Sequence, residues 1–143
     1  MWEPCKPGAK GGPCVYLFHA GDTAKYVGET GSLCQRLWQH SKAIERFKLN
    51  GMYLPLPKIP GPFRMIVEEF LIVALKPELN VKCKNRLTDE GVYTYLKAMP
   101  LVLSVDQLQA ISHALERFGG ELSDECLELL GSLCSGVAIE SLE

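Results

Sequence analysis

Residues 14–31 read CVYLFHAGDTAKYVGETG, and this stretch decides how the chain begins to fold. Cys14 to His19 are β-branched, aromatic or apolar, the composition of a strand. Ala20-Gly21-Asp22-Thr23 supplies turn chemistry, and Lys25-Tyr26-Val27-Gly28 reads as a returning strand, so the segment is a β-hairpin. A three-residue loop, Gly21 to Thr23, predicts that Ala20 faces Ala24, Phe18 faces Tyr26 and Tyr16 faces Gly28. Side chains alternate with period two, so any odd loop puts Tyr16 and Tyr26 on one face and an even loop separates them.

Working outward, residues 32–49, SLCQRLWQHSKAIERFKL, carry Leu33, Leu37, Ile44 and Phe47 at helical spacing and predict one helix. Arg36 and His40 lie four residues apart and leave that helix from one side. Residues 50–62 contain four prolines and two glycines, which predicts mainly a loop with at most a short strand at Tyr53-Leu54. Pro62 suits the first turn of a helix from Phe63 to about Leu75, and Pro77 ends it. Three short helices follow, over about 88–98 capped by Thr88, 104–118 with a Ser104-x-x-Gln107 capping box, and 123–134 opened by Ser123. Residues 1–13, with three prolines and three glycines, read as an arm or strap.

The 143 residues fit one small module with an appendage. A composition of 47% hydrophobic and 22% charged residues predicts an ordinary core. No apolar run suits a membrane span and the first residues lack a secretory pattern, so a cytoplasmic protein is expected. The six cysteines form no C-x2-C pair, which argues against zinc; reduced thiols, with Cys14, Cys126 and Cys134 as core filler, are expected. Charge divides sharply near residue 87. Residues 1–87 hold 13 Lys and Arg against 7 acids, whereas residues 88–143 hold 2 against 10. The basic part suggests a polyanionic partner that the acidic part repels. Three segments are therefore expected: an arm (1–13), a functional domain (14–87) and an acidic helical extension (88–143).

Val15-Tyr16, Tyr26-Val27-Gly28, Arg36, His40, Glu68 and Asn80, in this order and spacing, resemble the GIY-YIG nuclease family. That family has Gly-Ile-Tyr on a first strand, Tyr-Ile-Gly on a second, a helical arginine, and a glutamate twelve residues before an asparagine. Arg36-x3-His40 looks most like the branch with histidine after that arginine, which includes some restriction enzymes. Cys14 stands where the motif has glycine, and valine replaces both isoleucines. The resemblance covers residues 14–81. It implies an α/β (α+β) fold, a small antiparallel sheet flanked by helices, here followed by the helical extension.

The resemblance also implies an endonuclease that hydrolyses DNA, duplex or branched, with Mg²⁺ or Mn²⁺. Glu68 would supply a hard oxygen ligand to the ion, and Arg36 a planar, permanent cation for the scissile phosphate. Tyr16 would contact the attacking water, Tyr26 would bind phosphate or hold that water, and Asn80 would bridge backbone and site. A phenol near pKa 10 is a weak base at neutral pH, so Tyr16 and His40 both stand as candidates for the proton acceptor. Lys42, Arg46, Lys48, Lys58, Arg64, Lys82, Lys84 and Arg86 would track phosphates without reading bases. Each of these residues also has an ordinary structural reading, as strand aromatic, solvated helix charge or turn residue. A rival reading keeps the nucleic-acid surface without catalysis. In either case residues 88–143 are expected to recruit a protein partner, form a homodimer or complete the core.

Overall fold

The computed structural model describes residues 1–6, 11–80, 103–124 and 126. Its strands are β1 (Glu3–Pro4), β2 (Cys14–Ala20), β3 (Thr23–Thr30) and β4 (Asn50–Pro55), and its helices α1 (Leu33–Gln39), α2 (Ser41–Arg46), α3 (Gly61–Leu75) and α4 (Val105–Arg117). The architecture is mixed α/β: one antiparallel sheet in the order β1-β4-β2-β3, flanked by helices. The predicted helices 88–98 and most of 123–134, and with them Lys82, Lys84 and Arg86, lie outside the described residues.

The hairpin differs from expectation in an instructive way. Its turn has two residues, since Ala20 pairs with Thr23 rather than Ala24, and Gly21 takes a left-handed φ of 60° that favours glycine. An even turn alone would put Tyr16 and Tyr26 on opposite faces. The ladder instead steps from His19–Ala24 to Phe18–Tyr26, leaving Lys25 as an extra residue in a β-bulge. The bulge restores the odd count, so Phe18–Tyr26 and Tyr16–Gly28 pair as predicted.

β2 is central and buried on both faces. Val15 and Leu17 join α3 and α4 in the larger core, whereas Cys14, Tyr16 and Phe18 pack with Leu33, Leu37 and Ile44 of α1 and α2. The predicted single helix over 32–49 is two helices. They meet at His40, whose φ of −93° and ψ of 3° lie in the bridge region, although His40 N–H still donates to the Arg36 carbonyl and Ile44 N–H to that of His40. Phe47, expected in the apolar stripe, is 47% exposed because the chain leaves helical geometry there, with Lys48 left-handed at φ 52° and Leu49 buried in its place.

The proline-rich stretch is also more ordered than its composition implies. β4 occupies its first six residues and pairs with β2 along its whole length. Pro55 stands at the strand's last position, and the other three prolines fall outside it. The N-terminal segment is a strap: β1 pairs with β4, and the Trp2 indole N–H donates to the Ala110 carbonyl of α4 at 2.7 Å.

α3 and α4 follow their sequence signals. Pro62 sits in the first turn of α3, and Ser104 and Gln107 form the reciprocal capping box. Leu108, Ala110, Ile111 and Ala114 of α4 share the larger core with α3, and Glu121 N–H donates to the Ala74 carbonyl, so residues 103–121 complete the same packed body. Cys14 and Cys126 are buried free thiols, and Cys5 and Cys34 are also free. Burial pushes the Cys5 thiol up to about 11 and the Cys14 thiol up to about 12. Among the described residues no helix is long and apolar enough to cross a membrane.

Asn80 fastens the turn after α3 to the outer edge of β3. Its Oδ1 accepts from Val27 N–H and its Nδ2 donates to the Val27 carbonyl, both at 2.8 Å, while Leu79 N–H donates to the carbonyl of the bulged Lys25. The side chain acts as a one-residue strand. Asn80→Ala leaves two buried backbone groups of Val27 unpaired and is expected to cost about 2–4 kcal/mol. Urea unfolding measures this, and a loss under about 1 kcal/mol would contradict the role.

Candidate active site

The sheet register and the helix break bring Tyr16, Tyr26 and His40 together. Tyr16, from the middle of β2, is 1% exposed and stacks beside Tyr26 of β3 with ring centroids 6.1 Å apart. His40, at the α1–α2 break, closes over both rings at 5.8 Å and 5.1 Å, and its Nε2 lies 3.1 Å from the Tyr16 hydroxyl. Where Tyr16 donates to Nε2, the imidazole proton sits on Nδ1. Arg36, one turn earlier on α1, is exposed at the rim and its Nη1 donates weakly to Gln39 at 3.4 Å. Glu68, on the α3 helix that packs along β3, is 3% exposed.

Gly28 makes room for this arrangement. It pairs directly with Tyr16, and a Cβ there would collide with the tyrosine's Cζ and hydroxyl. A side chain at 28 must therefore push the phenol away from His40. Gly28→Ala is expected to destabilise the fold by about 1–3 kcal/mol through overpacking. A thermal melt tests this, and wild-type stability would refute the cradle.

Electrostatics ties the set together. Burial pushes the Tyr16 phenol well above its usual range, helped by Tyr26, which also hydrogen-bonds it; the Arg36 guanidinium works the other way and the Glu68 carboxylate adds to the rise. The Tyr16 phenol thus stays protonated at neutral pH and senses Arg36 and Glu68 from opposite signs. His40 moves in the complementary direction. Burial, then the Arg36 charge, holds its imidazole below the ordinary 6.5, so it is neutral at pH 7 and offers a lone pair.

Comparison of the chain with family models, curated proteins and solved structures finds no match.

The other predicted residues divide by position. The Asn80 side chain bonds both backbone groups of Val27, so it positions β3 against the end of α3. Lys42, Arg46, Lys48 and Lys58 are exposed. Arg64 is not a solvated cation. Its Nε pairs with Glu29 at 3.2 Å and its Nη1 donates to the Ile59 carbonyl at 2.7 Å, tying the residue after Gly28 to the start of α3 and the loop before it. Nothing local in sequence signals that pair, whose members are 35 positions apart.

No cluster of three or more His, Cys, Asp or Glu side chains stands among the described residues. Glu68 contributes one buried carboxylate. A single hard oxygen donor fits Mg²⁺, which keeps several waters and takes its remaining ligands from substrate phosphate; it does not fit zinc, which takes three or four protein ligands. A hollow of about 1370 Å³ lies elsewhere, on the side of α1 and α2 facing Trp2, Met52 and Ala110.

Proposed function

We propose that this chain is a GIY-YIG-type, Mg²⁺- or Mn²⁺-dependent endonuclease that hydrolyses phosphodiester bonds of DNA. The observation that carries the reading is the Tyr16–His40 hydrogen bond, set against Tyr26 and within the electrostatic reach of both Arg36 and Glu68. Two phenols and an imidazole pack together, and the Tyr16 phenol senses the charges of a guanidinium and a carboxylate from residues 36 and 68. Packing alone does not require that combination.

In this reading Arg36 binds the scissile phosphate and offsets charge as it develops there. Tyr26 and Tyr16 hold the attacking water. His40 Nε2 receives the water's proton, directly or by way of the Tyr16 hydroxyl, since the phenol is protonated and the imidazole is not. Glu68 would hold the divalent ion, whose chemistry when bound is Lewis-acid polarisation of the phosphate and stabilisation of the leaving oxygen. Asn80 and Gly28 keep β3 and Tyr16 in register with α3.

Supercoiled plasmid with Mg²⁺ tests the proposal. Nicking is expected, with loss in EDTA and loss in Glu68→Gln, which keeps the side chain's shape without its charge. Folded protein that binds DNA yet cuts no duplex, branched or single-stranded substrate would replace the enzyme by a binding module. Cytoplasmic action and a protein partner for residues 88–143 belong to the same proposal. A chain whose mass in solution and cutting rate are unchanged by deleting 127–143 would remove that part from the partner surface.

A further inference from the structure

Trp38 is 80% exposed, although tryptophan ordinarily buries most of its surface. It follows the proposed phosphate ligand Arg36 by two residues on α1. Helical hydrogen bonds continue through the break at His40, so Trp38, Lys42 and Arg46, spaced by four, form one outward ridge. The buried Leu33, the half-buried Leu37 and Ile44, and His40 occupy the opposite side.

Beside the ridge lies the 1370 Å³ groove, which Trp38 lines together with Leu37, Ile44, Leu49 and Met52. The charged lining of the groove is mixed, Glu3, Glu45 and Asp106 with Lys6 and Arg117, so it offers no single-sign field for a phosphate and accepts an uncharged base. Lys42 and Arg46 are exposed on the ridge and do not line the groove.

We propose that Trp38 stacks an unpaired base of the substrate, which turns into the groove while Lys42 and Arg46 hold the flanking phosphates. The inference rests on the nucleic-acid part of the function proposed above and names its substrate class: DNA with an extrahelical or branch-point nucleotide beside the cut. Charge distribution selects this occupant, because an aromatic face bordered by lysine and arginine matches a base on its phosphodiester chain. An apolar protein segment would use the groove without the cations.

The test is anisotropy titration of full-length protein, in Ca²⁺ without Mg²⁺, against a labelled duplex and the same duplex bearing a one-nucleotide bulge. Stacking predicts that the bulged DNA binds about 5- to 100-fold more tightly. Trp38→Leu should bring the two DNAs to one affinity, and Trp38→Phe should keep part of the preference. Trp2 and Trp38 are the two tryptophans, so emission quenched by bulged DNA in wild type should vanish in Trp38→Leu. Unchanged melting temperature in both variants shows that the fold is intact. Equal wild-type affinities, or a preference that survives Trp38→Leu, would overturn the assignment, the latter leaving the groove to a protein. Plasmid nicking is read separately. A Trp38-dependent preference without nicking sustains the stacking and rejects the enzyme; nicking without the preference does the reverse.

Discussion

Tyr16→Phe is expected to cut plasmid DNA about 10²- to 10⁴-fold more slowly than wild type, the range spanned by losing a positioned proton-transfer group. The loss follows from geometry: the hydroxyl 3.1 Å from His40 Nε2 disappears while the ring keeps its place against Tyr26 and Phe18. His40→Ala should fall in the same range, and the double variant should be scarcely slower than either, because groups acting in one relay are not additive. Additive losses would mean that the two side chains serve separate steps.

The pH profile distinguishes the acceptor. Burial and Arg36 both disfavour imidazolium, so His40 gains its proton only below the ordinary 6.5. Activity should therefore be full at pH 7 and decline on acidification past that value. A Tyr16 phenolate acting as base would instead give a rate still rising beyond pH 10, since the phenol's own ionisation is displaced upward. Stability should move in the same sense. The unfolded chain protonates His40 first as pH falls, so its contribution is complete above 6.5 and is lost as pH drops through the lower folded value. A melting temperature that rises on acidification through this window would contradict a buried neutral imidazole.

Arg36→Ala is expected to reduce cleavage about 10²- to 10³-fold, the effect of removing one charge-stabilising donor from a reacting centre. Arg36→Lys should recover little. A planar fork can hold two phosphate oxygens at once, whereas an ammonium supplies a point charge on a flexible stem. Neither variant should unfold the protein, because Arg36 is exposed and its side chain donates to the solvent-facing Gln39. Full activity in the lysine variant would reduce the role of Arg36 to local charge.

Much of this site is legible in the chain because its residues lie on periodic elements. Strand alternation and helical spacing suffice to place Tyr16 near Tyr26 and Arg36 near His40. The route to the hairpin register is less legible: a short turn and a bulge cancel each other, and parity reports only their sum. β4 is masked because proline density suggests a loop, yet Pro57, Pro60 and Pro62 all fall after the strand and Pro55 at its end. The break at His40 carries no glycine or proline signal. Tertiary contact of the imidazole with the two phenols accompanies it, and such contact is invisible to local pattern. The Glu29–Arg64 pair and the exposure of Trp38 likewise exist only once distant segments have packed.

The two margins of the sheet bear on how the protein behaves when concentrated. On β4 the outer ladder is taken by Glu3 and Pro4, and proline offers no amide hydrogen to a newcomer. On β3 the Val27 and Lys25 backbone groups are already claimed by Asn80 and Leu79. Neither flank presents a bare row of amides at these positions on which a stranger's strand can polymerise, so crowding need not seed fibrils.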